Sequence, residues 1–319
     1  MSTIVITDPV QPAVLELLAH RPDVRTELAV GTRGEDELAG RVADADAILV
    51  GLTPITAKVI DSARSLKVVS RRGVGYDNVD LAALRRRQVP LAIIGTANAS
   101  SVAEHTLFFI LALARQAMAY DRATRNGNWG FRESMSAVDV LDKTLFLAGF
   151  GRVGQAVAER AAAFGMKVLV YDPLVNPQLP RNAPVHFVDT LPEGLAACDF
   201  FSVHVPLTPQ TRDLIGAAEL ALMKPSAFVI STARGGIVNE AALVDALSGG
   251  RIRGAGLDVF AEEPLPAGHP LVKLDNVILS PHTAALTREC AARMDRVAIQ
   301  NCLDAIDGRL DPALVVPNG

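Results

Sequence analysis

Three polar residues have the types needed to reduce a 2-oxo acid. Arg234, Glu263 and His282 each come shortly after one of three consecutive apolar runs near the end of the chain. The planar guanidinium of Arg234 suits a substrate carboxylate, and histidine is a common general acid, so His282 can give a proton to a developing alkoxide. Glu263 can stabilise the imidazolium and hold the ring. The three residues predict a carbonyl reduction that draws its hydride from a cofactor.

A glycine-rich segment predicts where that cofactor binds. The motif GFGRVG (149–154) follows an apolar run and precedes a helical pattern. Gly149 permits a tight turn, Gly151 lets the backbone approach a pyrophosphate, and Gly154 lets the helix pack near the strand. Asp172 follows at the spacing of an acid that binds the adenosine ribose, which favours NAD over NADP. The alternative is an ordinary strand–turn–helix with incidental glycines.

Two further residues are candidates on position alone. Asp258 lies at the end of an apolar run and is placed to orient the nicotinamide amide, whereas His204 ends a strand and is expected to line the cofactor cleft. The sequence lacks HExxH and clustered Cys/His spacings, so we predict no metal. It also lacks a GxSxG segment, which argues against an α/β hydrolase.

The elements that position these residues form two α/β patterns. Short Val/Ile-rich runs alternate with helical patterns along the first hundred residues, and the alternation restarts after residue 140. Strands separated by helices predict parallel sheets, and ligands bind beyond the carboxyl ends of such strands. The strands are predicted at 4–7, 47–50, 67–70, 91–94, 144–147, 167–171, 200–204, 228–231, 255–259 and 277–279.

Two long helical patterns stand apart from this alternation. The first is predicted over 101–125, with Ser100 or Ser101 as its cap and Glu104 completing a capping box. The second is predicted over 287–306 and could pack back onto the first domain. We therefore predict a discontinuous first domain, residues 1–98 with 287–319, and a second domain of residues 99–286.

Composition excludes several classes of protein. The chain has 319 residues, a net charge of −4 and only 5% aromatic residues, which argues against nucleic-acid binding. Its apolar stretches are too short for a signal peptide or a membrane span. Three cysteines without CxxC spacing favour a reducing compartment, so the predicted location is cytoplasmic.

Taken together, the motifs resemble those of the D-isomer-specific 2-hydroxyacid dehydrogenases over nearly the whole chain. This family includes D-3-phosphoglycerate dehydrogenases and hydroxypyruvate/glyoxylate reductases. The matching segments are RGVGYDNVD (72–80), VAEH (102–105), the 149–154 loop, HVPLT (204–208) and the segments around Arg234, Glu263 and His282. The resemblance implies an NAD-dependent oxidoreductase that interconverts 2-oxo and (R)-2-hydroxy acids. It also implies two Rossmann-like, doubly wound domains, the first flavodoxin-like and substrate-binding, with the active site in the cleft between them.

The resemblance also implies a role for individual residues and a partner. Along the cofactor it places Arg152 and Val153 at the pyrophosphate, Asp172 at the ribose, His204, Pro206 and Thr211 as lining, and Thr232 and Asp258 beside the nicotinamide. On the substrate side it places the N–H groups of Val74 and Gly75, the amide of Asn98, and Arg234. A homodimer through the 101–130 region is expected, with a purely intramolecular role of that helix as the alternative.

Some features separate this sequence from parts of the family. Arg71 occupies the position of a phosphate-contacting arginine in the phosphoglycerate enzymes, so Arg71 and Arg72 favour a substrate with two anionic groups. Structural ion pairs are the alternative for both. After His282 the glycine of many members is missing. No regulatory domain follows residue 319, so we expect a short form without serine feedback.

Two other functions stay open at this point. Glyoxylate or hydroxypyruvate reduction fits the same residues, and a non-catalytic NAD(H)-binding corepressor-like protein shares the fold. An L-hydroxyacid dehydrogenase is disfavoured because its glycine loop lies near the N-terminus, whereas this loop begins at Gly149. The sequence leaves the particular 2-hydroxy acid, the physiological direction and the strictness for NAD undecided.

Overall fold

A computed structural model describes residues 1–176 and 183–317. By its internal contacts the chain divides into two compact units, Met1–Asn98 with Leu286–Gly319 and Ala99–Ala285. Residues 318 and 319, the end of the predicted C-terminal segment, lie outside the described residues. Within the described part, no helix combines the length and the apolar character needed to cross a membrane.

Twelve strands are described, and every sheet pairing between them is parallel. They are β1 Ser2–Ile6, β2 Val24–Leu28, β3 Ala47–Val50, β4 Val68–Arg71, β5 Leu91–Ala92, β6 Thr144–Ala148, β7 Lys167–Tyr171, β8 His186–Phe187, β9 Phe200–Val203, β10 Phe228–Ser231, β11 Gly254–Leu257 and β12 Val277–Leu279. The predicted α/β class with two parallel sheets is confirmed.

The helices of the described residues alternate with these strands. They are α1 Pro12–Ala19, α2 Glu35–Arg41, α3 Ala57–Ser62, α4 Leu81–Arg86, α5 Ala99–Ala114, α6 Ala117–Arg125, α7 Arg152–Ala163, α8 Leu191–Ala197, α9 Ala217–Leu222, α10 Glu240–Ser248 and α11 Arg288–Ile306. Three short 3-10 helices, Trp129–Ser134, Pro270–Lys273 and Pro312–Leu314, complete the set.

The first unit is built on a five-stranded sheet of order β2-β1-β3-β4-β5. This order is that of flavodoxin-like sheets, and β3 and β4 are buried at every residue because both of their faces are covered. The last helix, α11, packs onto this sheet. Ser70 donates to the carbonyl of Ala298 at 2.9 Å, and the amide of Asn301 donates to the carbonyl of Ile93 at 3.1 Å.

The second unit is built on a seven-stranded sheet of order β12-β11-β10-β9-β6-β7-β8. Starting from β8, the order runs three-two-one-four-five-six-seven in chain sequence, which is the Rossmann arrangement with one additional strand. The strand order reverses between β6 and β9. The loops after these two strands begin at Gly149 and His204, so the glycine motif lies at the point where such sheets bind ligands.

The prediction of one helix over 101–125 is wrong. The chain forms α5 and α6 instead, and Gln116 between them has a left-handed backbone with φ 54°. The N–H of Val138 donates to the carbonyl of Ala114 at 2.8 Å and takes the acceptor that a continuing helix would need. The predicted cap is also wrong, because α5 begins at Ala99 and Ser100 bonds Glu104 from inside the helix.

Candidate active site

The segments that carry the three predicted catalytic residues leave one edge of the second sheet. Strands β10, β11 and β12 are neighbours, with Ser231 in register with Leu257 and Leu257 with Leu279. Arg234 and His282 each lie three residues beyond these strand ends, and Glu263 lies six residues beyond its own. Because these neighbouring strands are parallel, their carboxyl ends lie on the same side, so the three segments leave one edge of the sheet.

His282 and Glu263 form a hydrogen-bonded pair. Nδ1 of His282 lies 2.7 Å from Oε2 of Glu263, and both side chains are about one third exposed, at 30% and 32%. The other carboxylate oxygen accepts the N–H of Phe260 at 3.0 Å, which holds the Glu263 side chain in place. With Nδ1 donating to the carboxylate, Nε2 of His282 is the atom left for proton exchange with a substrate.

The Arg234 segment lies directly against the Glu263 segment. A Cβ added to Gly235 would overlap the backbone of Phe260 and Ala261, so only glycine permits this approach. Arg234 donates from Nη1 to the carbonyl of Ala233 at 2.8 Å, and its side chain is partly exposed. Backbone packing at Gly235 therefore fixes how closely the Arg234 segment approaches the Glu263 segment.

Asp258 is fully buried and fixes the segment that carries His282. Its Oδ1 accepts the Ser280 hydroxyl at 2.5 Å and the Thr283 N–H at 2.8 Å, and its Oδ2 accepts the Ala284 N–H at 2.9 Å. Its backbone carbonyl accepts the N–H of His282, 2.8 Å away. The predicted nicotinamide contact of Asp258 stays a prediction, since these bonds are within the protein. They also define the loop that follows His282.

The glycine loop has the geometry that its sequence predicts. Gly149 has φ 101°, and a Cβ there would lie 2.7 Å from the carbonyl of His204. A Cβ on Gly154 would overlap the carbonyl oxygen of Gly149, so the start of α7 packs tightly on the strand end. Gly151, which caps α7, faces open space. The two tight glycines shape the turn, and the open one leaves room for a ligand beside the helix N-terminus.

This loop fits a dinucleotide. The first N–H groups of a helix have no partner within it and attract phosphates, and Arg152 and Val153 begin α7. Asp172 follows β7 and accepts the N–H of Phe150 at 2.8 Å and that of Leu174 at 3.0 Å. The carboxylate is therefore held beside the glycine loop, as ribose recognition requires.

The remaining predicted cofactor residues sit around the same edge. Ser202 and Nε2 of His204 lie 2.9 Å apart, and burial lowers the pKa of the His204 imidazole to about 4. Thr211 donates to the carbonyl of Pro206 at 2.6 Å, so its hydroxyl shapes the loop after β9. Thr232 is buried, with its hydroxyl 3.1 Å from that of Thr106 on α5.

In the first unit, the predicted substrate residues lie at the ends of β4 and β5. Within residues 1–176 and 183–317, the N–H groups of Val74 and Gly75 have no protein acceptor, and Oδ1 of the buried Asn98 has no donor. Arg71 is buried, and its guanidinium lies beside Gly73. Arg72 forms an ion pair with the fully buried Asp295, so for Arg72 the structure shows the structural alternative.

Sequence comparison identifies the family. Residues 107–284 match the D-isomer specific 2-hydroxyacid dehydrogenase, NAD binding domain. The chain belongs to this family. It is 38% identical to D-3-phosphoglycerate dehydrogenase of Methanocaldococcus jannaschii over all of this chain and 60% of that protein. It is 40% identical to glyoxylate reductase of Thermofilum pendens over 88% of this chain and 84% of that protein. A solved Thermus thermophilus structure, with TM-score 0.89 and 37% identity, covers 99% of this chain and 100% of its own.

The match confirms the resemblance seen in the motifs and the NAD-binding character of the second unit. As a 2-hydroxyacid dehydrogenase family member, the chain spans about 60% of the length of the phosphoglycerate dehydrogenases that it matches. No group of His, Cys, Asp and Glu suited to a metal ion occurs among the described residues.

Sequence reasoning missed two residues that the structure places beside the segment that carries His282. Nε2 of His105 on α5 lies 2.9 Å from the hydroxyl of Ser280, which in turn donates to Asp258. Both residues carried a weak signal, because His105 belongs to the VAEH motif and Ser280 lies two positions before His282. Their meeting depends on how α5 packs on the sheet, which no local pattern records.

Proposed function

We propose that this protein reduces a 2-oxo acid to the (R)-2-hydroxy acid with NADH, and catalyses the reverse oxidation with NAD. The observation that carries the proposal is the 2.7 Å pair between His282 and Glu263 at the sheet edge that also bears Arg234. These groups match the needs of the reaction, namely a proton donor, a charge that steadies the imidazolium, and a fork for the carboxylate.

Each protein group has a defined task in this proposal. The guanidinium of Arg234 binds the carboxylate and polarises the neighbouring carbonyl, since a planar cation offers two parallel donors. Nε2 of His282 gives its proton to the carbonyl oxygen as negative charge develops there, while Glu263 stabilises the imidazolium through Nδ1. The bound nicotinamide supplies or accepts the hydride. In the oxidation direction His282 takes up the hydroxyl proton.

Neutral hydrogen-bonding groups are also proposed to bind the substrate. The N–H groups of Val74 and Gly75 are proposed to bind the carboxylate, because two adjacent donors suit an anion. The carbonyl oxygen of Asn98 is buried and without a donor among the described residues, which supports a contact with a substrate hydroxyl.

We propose a substrate with a second anion, such as 3-phosphohydroxypyruvate or 3-phosphoglycerate. The support comes from Arg71 at the end of β4 and from similarity to the phosphoglycerate dehydrogenases along the whole chain. Asp172 supports NAD, since a carboxylate beside the ribose repels the 2′-phosphate of NADP.

Glyoxylate or hydroxypyruvate is the second candidate substrate. The ion pair of Arg72 with Asp295 removes one of the two arginines that favoured a dianion. Glyoxylate reductases from two archaea are 38% and 40% identical, each covered over 84% of its length.

A substrate panel tests the proposal. The rate of NADH oxidation is measured with 3-phosphohydroxypyruvate, hydroxypyruvate, glyoxylate and pyruvate, and the product is assigned as (R) or (S) by chiral chromatography. We expect an (R) product and the highest kcat/KM with the phosphorylated acid. A higher kcat/KM with glyoxylate would replace the dianion assignment. Binding of NADH without turnover of any acid would instead favour the corepressor-like interpretation.

A further inference from the structure

The segment that carries His282 is supported from behind by helix α5. Nε2 of His105 lies 2.9 Å from Oγ of Ser280, and that hydroxyl lies 2.5 Å from the carboxylate of Asp258. Ser280 immediately follows β12 and Asp258 immediately follows β11, so one helix side chain reaches the ends of two neighbouring strands.

The hydrogen atoms of this chain can be assigned from donor and acceptor chemistry. An ionised carboxylate only accepts, so the Ser280 hydroxyl must donate to Asp258. The Ser280 oxygen can then accept a hydrogen bond from His105. Nε2 of His105 must therefore carry a hydrogen and donate it to Ser280. Burial lowers the pKa of His105, which keeps the ring in this neutral form. The hydrogen bonds therefore run in one direction: His105 donates to Ser280, and Ser280 donates to Asp258.

The absence of a side chain at Gly256 allows α5 to lie close enough to β11 for His105 to reach Ser280. A Cβ on Gly256 would lie 2.6 Å from the ring of Phe109, so β11 admits that ring only at a glycine. Phe109 also stacks edge-on against His105, with ring centroids 4.6 Å apart. The imidazole is thus fixed by an aromatic contact on one side and by Ser280 on the other.

Asp258 links this hydrogen-bond network to the backbone of the loop that carries His282. Its carboxylate accepts the N–H groups of Thr283 and Ala284, and its carbonyl accepts the N–H of His282. His282 needs such restraint because its backbone is left-handed, with φ 53°. A change in the Asp258 carboxylate would therefore move the imidazole relative to Glu263.

We propose that His105 and Ser280 are positioning residues. The Nε2–H of His105, acting through Ser280 and Asp258, keeps the His282 imidazole in hydrogen-bonding position with Glu263. This inference rests on the proposed function, because His282 is the proton donor there. It goes beyond that function, because neither residue needs to touch the substrate.

The test compares two substitutions of similar size in the full chain. His105→Gln keeps an N–H donor near the position of Nε2, whereas His105→Met fills the space without a donor. We expect His105→Met to lower kcat about tenfold and to leave the KM for NADH within about twofold, while His105→Gln keeps most of the activity. His20→Met, at an exposed position, is the control and should match the wild type.

A second readout does not depend on turnover. With ¹⁵N-histidine labelling, the His282 signals are assigned by their loss in His282→Ala, and we expect the Nδ1 shift to change in His105→Met but not in His105→Gln. Equal effects of the two substitutions would overturn the proposal, since packing would then explain both. Wild-type values of kcat and of the His282 shift in His105→Met would overturn it as well. If the wild type turned over no 2-oxo acid, the proposed function would fail, and the shifts would still decide this inference.

Discussion

His282 holds a backbone conformation that few non-glycine residues adopt. Its φ of 53° costs about 1–3 kcal/mol for a side chain with a Cβ. The hydrogen bonds that Asp258 makes to residues 282, 283 and 284 offset this strain. They explain how the loop keeps its shape with Thr283, Ala284 and Ala285 after His282. A single buried aspartate, through its carboxylate and its backbone carbonyl, therefore defines the backbone of the loop that carries His282.

Asp172 is expected to set the choice between NADH and NADPH. In Asp172→Ala the negative charge beside the ribose is lost, and so is the acceptor for the Phe150 N–H in the glycine loop. We expect the ratio of kcat/KM for NADH over NADPH to fall by about tenfold or more, because repulsion of the 2′-phosphate disappears. The ratio is measured with one 2-oxo acid at saturation. An unchanged ratio would mean that another residue reads the ribose.

The buried imidazole of His204 is expected to make the folded protein less stable to unfolding in mild acid. Burial lowers its pKa from 6.5 to about 4, so between these values the unfolded chain binds a proton that the folded chain does not. The free energy of unfolding should therefore decrease as the pH falls from about 6.5 to about 4. Urea unfolding across this range should show a weaker pH dependence in His204→Gln than in the wild type. Equal slopes for both proteins would contradict the assignment.

Among the elements, the sequence predicts most of the short strands. It does not predict where a helix is interrupted by a contact with a distant segment. The strands β3, β7, β10 and β12 match their predicted bounds because Val/Ile-rich runs bounded by turn residues determine them locally. The edge strand β2 was missed, since Arg25 and Glu27 give it a polar pattern. The break between α5 and α6 depends on the Val138 hydrogen bond to Ala114, which lies 24 residues away along the chain.

The candidate site divides in the same way. The residue types and motif order are enough to predict Arg234, Glu263, His282 and the glycine loop as site residues. The pairing of Arg72 with Asp295 and that of His105 with Ser280 join distant segments, and both escaped sequence reasoning. The sequence therefore indicates the chemistry of a side chain but not which distant side chain it contacts.

Gly235→Ala tests the contact between the loops that carry Arg234 and Glu263. In Gly235→Ala the new Cβ would overlap the backbone of Phe260 and Ala261, so the two loops must separate. We expect a loss of about 1–3 kcal/mol in unfolding free energy and little remaining turnover. The control is Gly40→Ala within α2, where nothing lies within 4 Å, and it should gain about 0.5–1 kcal/mol and keep its activity. Normal turnover in Gly235→Ala would contradict the role of this contact.

On the scale of the whole molecule, the 101–130 region remains the predicted dimer contact. Apolar side chains in and next to this region are exposed, with Met118 at 51%, Trp129 at 71% and Met135 at 83%. Exposed apolar groups of this kind mark protein contacts more often than scattered single residues do. We expect light scattering to give about twice the chain mass of 33.8 kDa.

A surface substitution sharpens this prediction. Trp129→Asp places a charge at the predicted contact and should yield monomers, whereas Leu174→Asp, at a residue 93% exposed outside the region, should leave the mass unchanged. A monomeric wild type at micromolar concentration would contradict the dimer prediction. Its activity would then belong to a single chain.

Turnover by wild type and His282→Ala, measured side by side, tests the central claim most directly. NADH oxidation is followed with the best 2-oxo acid of the panel, and NADH affinity is measured by fluorescence titration on both proteins. The account predicts that kcat falls about 10²–10⁴-fold in the variant while the Kd for NADH stays within about twofold. Near-normal turnover in His282→Ala would contradict it, because the proton would then come from a different group.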